Sequence, residues 1–104
     1  MKTYVIRRPQ AWKNKLELEQ TAKRSATIGN EEMPDRVRWI RSYVVNESDG
    51  SLGTVCIYQA VDTASILDHA ARVGMPAENI LEVADTVIIR EDPKDQASAS
   101  QSAA

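Results

Sequence analysis

The single histidine of this chain, His69, is its strongest candidate for metal chemistry, and it stands directly after Asp68. An imidazole combined with carboxylate oxygens suits a borderline divalent ion such as Ni²⁺ or Zn²⁺. Neighbouring residues of a helix point about 100° apart, so this pair does not chelate one ion by itself. The sequence contains no CxxC, HExxH or two-histidine motif, so a metal site must be assembled from distant parts of the chain or across subunits. The alternative is that His69 is a helical residue hydrogen-bonded near a loop.

The single cysteine, Cys56, is the candidate nucleophile. It stands between apolar neighbours in a predicted strand, where a buried cysteine behaves as a small hydrophobic residue. Activation would need a base, and His69 is the one histidine that can supply it. No serine lies in a G-x-S-x-G motif, and the glycine-rich phosphate-binding motifs are absent. The sequence therefore identifies no catalytic residue.

Four residues of two neighbouring predicted strands form a third candidate site: Trp39, Tyr43, Cys56 and Tyr58. If the two strands pair with their aromatic faces aligned, these side chains line one patch. An apolar patch with a few polar tips is what a small-molecule cleft needs. It is equally what the core of a dimer interface needs. The sequence leaves both interpretations open.

The elements that must position these residues are predicted from periodicity and turn signals. A long β-hairpin spans residues 36–61, because two arms rich in β-branched and aromatic residues flank the turn-forming segment NESDGS. Capping and periodicity predict the other elements, which are strands over residues 3–8 and 80–90 and helices over residues 14–29 and 62–74. The apolar stripe of the second helix is predicted to consist of Ile66, Leu67, Ala70 and Val73.

This β-α-β-β-α-β order predicts an α+β, ferredoxin-like fold with a four-stranded antiparallel sheet and two helices on one face. Neither face of the hairpin is simply polar, so both faces of the sheet are expected to be covered. We therefore predict that a second subunit covers the face without helices and that the homodimer forms an α/β barrel. Residues 1–92 are predicted to form this domain, and the polar tail 93–104 is predicted to be disordered.

Composition excludes several classes of protein. The formal net charge is −2 with both signs interspersed, whereas a nucleic-acid-binding domain normally has a basic face. No apolar stretch approaches the roughly 20 residues that span a bilayer, and the N-terminus lacks the features of a signal peptide. A single cysteine forms no internal disulfide and suits a reducing compartment. These features predict a cytoplasmic protein that binds neither nucleic acid nor membrane.

Three segments, RWIRSYVV, TVCIYQA and DHAARVGMPAENILEV, together resemble a known protein family. It consists of small bacterial proteins of ferredoxin-like fold and includes an actinobacterial nickel-binding protein. The motifs W-[IV]-x-S-Y-V, C-[IV]-Y and H-A-x-[RK]-x-G-x-P-A all match, and the resemblance covers about residues 3–90. It implies a homodimer and Ni²⁺ binding.

The resemblance matches only one nitrogen ligand, His69. Nickel binding would therefore need carboxylates as further ligands, and the chain offers four of them for this role: Glu17, Glu31, Glu32 and Asp68.

The sequence supports three functions. The first is a homodimeric, cytoplasmic protein that binds divalent metal, most specifically nickel. The second is a small enzyme or small-molecule-binding module that uses a pocket in the barrel around Tyr43, Cys56, Tyr58 and His69. The third is a structural or regulatory partner without a small ligand.

Overall fold

The computed structural model describes residues 1–93. Its four strands are β1 (Lys2–Trp12), β2 (Val37–Asn46), β3 (Leu52–Ala60) and β4 (Asn79–Glu82). Its helices are α1 (Lys15–Thr27), which a π-helical turn (Ile28–Glu32) continues, and α2 (Thr63–Val73). The predicted tail lies outside the described residues from position 94 onward.

The strands form one antiparallel sheet in the order β2-β3-β1-β4. Strands β1 and β2 flank β3, so α1 crosses over one strand, and α2 does the same between β3 and β4. This is the ferredoxin-like arrangement, and the predicted fold class is confirmed.

The core lies between the helices and one face of the sheet, which we call the helix face. On β1 and β3 every second residue is buried there, and these side chains pack against residues of both helical segments. The buried core cluster consists of Tyr4, Ile6, Ile28, Met33, Val37, Cys56, Tyr58, Ala60, Ile66 and Val73.

Helix α2 turns a different stripe towards the core than the sequence predicts. His69 is 1% exposed and lies within the buried stripe, whereas Leu67 is 49% exposed. Residues 65, 66, 69, 70 and 73 follow the three- and four-residue spacing of one helix face, and position 67 falls outside it. The prediction for Leu67 is therefore wrong, and the histidine belongs to the core.

Both predicted helix starts are confirmed. The Asn14 side chain accepts the Glu17 N–H at 3.0 Å, and the Asp62 side chain likewise accepts a first-turn N–H at 2.8 Å. Glu17 accepts the N–H of Lys13, the residue before the N-cap, at 3.2 Å, which is a capping box displaced by one residue from the usual bond to the N-cap N–H. Helix α2 ends at Gly74, whose φ of 86° is left-handed.

A β-bulge in β2 changes which of its side chains share a face. Trp39 pairs with Tyr58, but the next pair is Arg41 with Ile57, so Ile40 is an extra residue. Such an insertion reverses the alternation of the strand beyond it. Trp39 therefore lies on the helix face and Tyr43 on the opposite face, and the prediction that they share one patch is wrong.

The last strand is shorter than predicted and ends at Glu82 instead of residue 90. Strand β4 runs antiparallel to β1, and Glu82 already pairs with Tyr4 near the start of that strand. The N–H of Val83 still bonds the carbonyl of Thr3 at 2.8 Å. Beyond this point only Lys2 of β1 remains, and segment 83–92 continues without a strand partner.

The face of the sheet without helices, which we call the open face, borders segment 83–92. A groove of about 980 Å³ lies between them. Asp92 anchors the segment, because its carboxylate accepts bonds from Arg41 at 2.9 Å and from the Tyr43 hydroxyl at 2.6 Å. No helix within residues 1–93 is long and apolar enough to cross a membrane.

Candidate functional site

A cavity of about 240 Å³ lies between α1 and the helix face of the sheet. Its walls are largely apolar and contain both tryptophans of the chain. The residues that define its shape are Arg8, Trp12, Ala22, Trp39, Val44, Tyr58 and Met75. Trp12 is fixed from the helix, since its Nε1–H donates to the Thr21 hydroxyl at 3.0 Å. A hydrogen bond between β1 and α1 therefore fixes one wall of the cavity.

Polar groups on the strand side of this cavity form a hydrogen-bonded chain. The Trp39 Nε1–H donates to the Ser42 hydroxyl at 2.8 Å, and that hydroxyl donates to the Cys56 sulfur at 3.0 Å. The Cys56 thiol in turn donates to the Thr54 hydroxyl at 3.3 Å. Cys56 is 4% exposed, and no hydrogen bond joins it to His69 in residues 1–93. The cysteine packs as a core residue, as the simpler interpretation of its sequence context predicts.

A second polar cluster joins α1, β3 and α2. The Tyr58 hydroxyl and the Ser25 hydroxyl lie 3.2 Å apart, and His69 Nε2 lies 3.1 Å from the Ser25 carbonyl oxygen. A carbonyl only accepts, so Nε2 carries the proton and Nδ1 retains the lone pair. Burial lowers the pKa of His69, with Arg8 and Arg72 adding to the effect, so the ring is neutral at pH 7. Burial also raises the pKa of Tyr58.

Arg8 is the unusual group of the site. It is 1% exposed, and its Nε–H donates to the Pro76 carbonyl at 2.6 Å. Its two terminal nitrogens, Nη1 and Nη2, are buried and have no hydrogen-bond partner within the described residues. The guanidinium carbon lies 5.9 Å from the Tyr58 ring centroid, an arrangement in which the ring attracts the cation. Tyr58 is itself stacked on Trp39, with ring centroids 6.2 Å apart.

Two of the predicted metal ligands, Asp68 and Glu32, are occupied by arginines. The Asp68 carboxylate bonds Arg36 at 2.7 Å and Arg72 at 3.1 Å, and Arg72 also bonds Glu32 at 3.2 Å. These bonds, first from Arg36 and then from Arg72, lower the pKa of Asp68. Because Arg72 stands between the two carboxylates, they are held near each other by a cation that competes with a metal ion.

The other predicted ligands do not complete a site. Glu31 is exposed on the π-helical turn beside Glu32. Glu17 lies in the first turn of α1, about 20 Å along the helix axis from Glu31. Within residues 1–93, no three histidine, cysteine, aspartate or glutamate side chains come together as a metal-binding group. The described residues therefore do not form a complete nickel site in this arrangement.

The cavity contains three of the four residues predicted for the aromatic patch, namely Trp39, Cys56 and Tyr58. Tyr43 lies on the open face instead, where its hydroxyl bonds Asp92, and this bond raises the pKa of Tyr43. Sequence reasoning missed Arg8, although it had a signal: Tyr4, Ile6 and Arg8 alternate on one side of β1.

The comparisons with known proteins agree on one family. The family described as "Nickel responsive protein SCO4226-like" matches this chain over residues 4–83. The crystal structure of SCO4226 from Streptomyces coelicolor A3(2) superposes with a TM-score of 0.64 at 16% sequence identity. The superposition covers 82% of this chain and 99% of that protein. Among curated protein sequences, none is significantly similar to this chain.

Proposed function

This chain belongs to the SCO4226-like family of nickel-responsive proteins, and we propose that it is a cytoplasmic homodimer that binds a divalent metal ion, with nickel as the physiological ion. The observation that carries the proposal is the family match over residues 4–83, which spans all four strands and both helices. Two features of the structure support it: the open face suits a second subunit, and the carboxylates near α2 offer oxygen ligands to a divalent ion.

Apolar side chains on the open side of the molecule support the homodimer. In segment 83–92, Val87, Ile88 and Ile89 are 84%, 69% and 85% exposed. Ile40 of the bulge is 44% exposed on the same side. Contiguous apolar patches of this kind mark association surfaces in soluble proteins. A domain of about 100 residues buries a modest fraction of its surface alone, so covering this face adds stability.

The arginine-bridged carboxylates near α2 support a metal site. Arg72 bonds both Asp68 and Glu32, and Glu31 neighbours Glu32 on the π-helical turn. A divalent ion binds here when it displaces Arg72 and completes its coordination shell with water molecules. His69 enters such a site only through Nδ1, because Nε2 bonds the Ser25 carbonyl. Glu17 is the ligand with the weakest support, because it lies at the far end of α1.

Calorimetric titration of Ni²⁺ into protein purified without an affinity tag tests this proposal. We expect saturable binding at tens of micromolar protein, with a whole number of ions per dimer. Replacing a ligand, as in Glu32→Gln or Asp68→Asn, should weaken binding by about tenfold or more. Glu19→Gln is the matched control, because Glu19 is exposed on α1, away from Asp68 and Glu32, and forms an ion pair with Lys15 at 3.9 Å.

Two results would reject the metal-binding proposal. One is the absence of heat with Ni²⁺, Co²⁺ and Zn²⁺ at these concentrations. The other is binding that Asp68→Asn, Glu32→Gln and Glu19→Gln all leave unchanged. Melting curves without metal show whether a variant is folded, so a loss of affinity is separated from a loss of structure.

The cavity beneath α1 favours a second function, the binding of a small organic molecule. It is concave, largely apolar and lined by aromatic side chains with a few polar groups, which are the properties of ligand sites. Its volume of about 240 Å³ suits a ligand smaller than a typical drug molecule. The pocket predicted from the sequence includes Tyr43, whereas Tyr43 lies on the open face and does not line this cavity.

A further inference from the structure

The buried guanidinium of Arg8 lies at the wall of an apolar cavity and lacks a counter-ion. A guanidinium is a permanent cation with five N–H donors. Only one of these, on Nε, has a hydrogen-bond acceptor, the Pro76 carbonyl. Nη1 and Nη2 have none among residues 1–93, although both are out of contact with solvent. Leaving a buried charge unpaired is costly, so such groups are normally paired with an opposite charge.

No carboxylate of the described chain serves as that opposite charge. Arg7, the preceding residue, forms two bonds with Glu47, at 3.0 and 2.9 Å. Glu47 lies beside the open-face side of β1, so it is engaged away from Arg8. Glu19 is the one acidic residue at the cavity, and it is exposed at the mouth and pairs with Lys15. The Tyr58 ring supplies attraction to the cation but accepts no hydrogen bond from the two terminal nitrogens.

We propose that the cavity binds a small organic monocarboxylate whose apolar body packs between Trp12 and Trp39 and whose carboxylate group pairs with Nη1 and Nη2 of Arg8 after the guanidinium shifts towards the cavity. This inference rests on the second proposed function, ligand binding in the cavity, and is independent of nickel binding. A planar guanidinium matches the two oxygens of a carboxylate in a bidentate pair.

The walls of the cavity favour an organic acid over an inorganic anion. They consist of Trp12, Leu18, Ala22, Trp39, Val44 and Met75 around the polar end formed by Arg8, Ser25 and Tyr58. A volume of about 240 Å³ holds several water molecules, which is more than a lone small anion would fill. An apolar body gains free energy by covering these walls, whereas a bare phosphate leaves them wet. The mouth lies beside the exposed residues Glu19 and Val44.

Tryptophan fluorescence provides a direct test, because both tryptophans of the chain line the cavity. The full chain in a Tris chloride buffer is titrated with benzoate, butyrate, benzamide and inorganic phosphate. We expect saturable changes in emission with at least one of the two carboxylates. Benzamide, which has the shape of benzoate but no charge, and phosphate should bind about 10- to 100-fold more weakly or not at all.

Replacing Arg8 provides the second arm of the test. Arg8→Met keeps an unbranched side chain without the charge, and it should weaken carboxylate binding about 10- to 100-fold. Because it removes an unpaired buried charge, this variant should also melt at a higher temperature than the ligand-free parent. Arg8→Lys, which keeps the charge without the planar fork, should bind carboxylates more weakly than the parent.

The outcomes separate the two claims. Equal binding of benzamide and benzoate overturns the carboxylate inference and leaves ligand binding in the cavity intact. Stronger binding of phosphate than of either carboxylate overturns the organic nature of the ligand. Carboxylate binding that Arg8→Met leaves unchanged overturns the role of Arg8. If none of the four probes alters the emission or the melting temperature at millimolar concentration, both the inference and the cavity function fail.

Discussion

Arg7 and Arg8 are neighbours on β1, yet the Arg7 side chain is paired with a carboxylate on one face of the sheet and the Arg8 side chain, within the described chain, is not on the other. Arg7 points towards the open face and is held by the Glu47 carboxylate, which also accepts the Gln10 N–H at 2.8 Å. Arg8 points towards the helix face, where it meets the Tyr58 ring and the Pro76 carbonyl but no carboxylate of residues 1–93. The Gln10 and Arg7 bonds lower the pKa of Glu47 and so favour its charged form.

The contrast extends to the two faces as a whole. The helix face is closed by α1 and α2, and its side chains form the buried core. The open face is bordered by a segment that leaves its own apolar residues exposed. The helix face contains a buried polar group without a partner among the described residues, and we infer a ligand there. The open face has exposed apolar residues beside it, and they are the basis for proposing a second subunit.

Truncating one side chain on each face gives the largest expected difference. Ile6 is 0% exposed on the helix face, so Ile6→Ala should lower the free energy of unfolding by about 2–5 kcal/mol. Ile57 is its half-buried counterpart on the open face of β3. Ile57→Ala should therefore lower the free energy of unfolding of the monomeric chain by less than Ile6→Ala does. Urea unfolding at low protein concentration measures both values. Equal losses would show that the two faces are packed alike.

A methyl group added at Gly53 should disturb the ion pair between Arg7 and Glu47. A Cβ at this position would lie 2.7 Å from both Arg7 Nη1 and the Arg8 carbonyl oxygen, and it would clash with the Glu47 carboxylate. Overpacking of this kind costs typically about 1–3 kcal/mol, so Gly53→Ala should lower the urea midpoint accordingly. The same change at Gly50, where a Cβ meets nothing within 4 Å, tests backbone strain alone because Gly50 has a φ of 88°.

The buried histidine of the helix face predicts a specific pH dependence. Its pKa is lowered in the folded state, so below about pH 6.5 the unfolded chain takes up a proton that the folded chain does not. The free energy of unfolding should be insensitive to this group above pH 6.5. It should fall as the pH decreases towards the lowered pKa.

Melting curves from pH 8 to pH 5 measure this effect, and His69→Gln is the variant that should flatten the profile. Asp62 and Asp68 also have lowered pKa values. Their contribution to the free energy of unfolding is lost only below about pH 4, outside this window. A variant profile as steep as that of the parent between pH 6.5 and 5 would contradict the assignment to His69.

The smallest effect is expected for the anchor of segment 83–92. Arg41 and Asp92 are both about half exposed, and exposed ion pairs add little to stability. Asp92→Asn should therefore leave the urea midpoint of the isolated subunit unchanged within error. A clear loss of stability in the monomer would show that the segment is part of the core.

Local signals in the sequence predicted much of the fold. Asn14, Asp62 and Gly74 act through hydrogen bonds within a few residues of themselves, so their roles were predictable from the local sequence. The order of elements then limited the topology to the ferredoxin-like arrangement.

Features that depend on distant partners were not predictable. The bulge at Ile40 exists only through its pairing with β3, and it moved Tyr43 away from the cavity. Strand β4 ends opposite Tyr4, close to the start of β1, and periodicity within 80–90 does not show this. The ion pairs of Asp68 with Arg36 and Arg72 join separate elements. The predicted metal-ligand set rests on residue types, and residue types do not reveal which carboxylates are already paired with arginines.

The mass of the tag-free protein in solution, measured by light scattering at tens of micromolar, tests the central claim most directly. If the open face is completed by a second copy, the mass should be twice the chain mass of 11.5 kDa. Ile57→Glu, which places a charge on the open face, should halve it without loss of helical signal. A mass of 11.5 kDa for the unmodified chain would contradict the account.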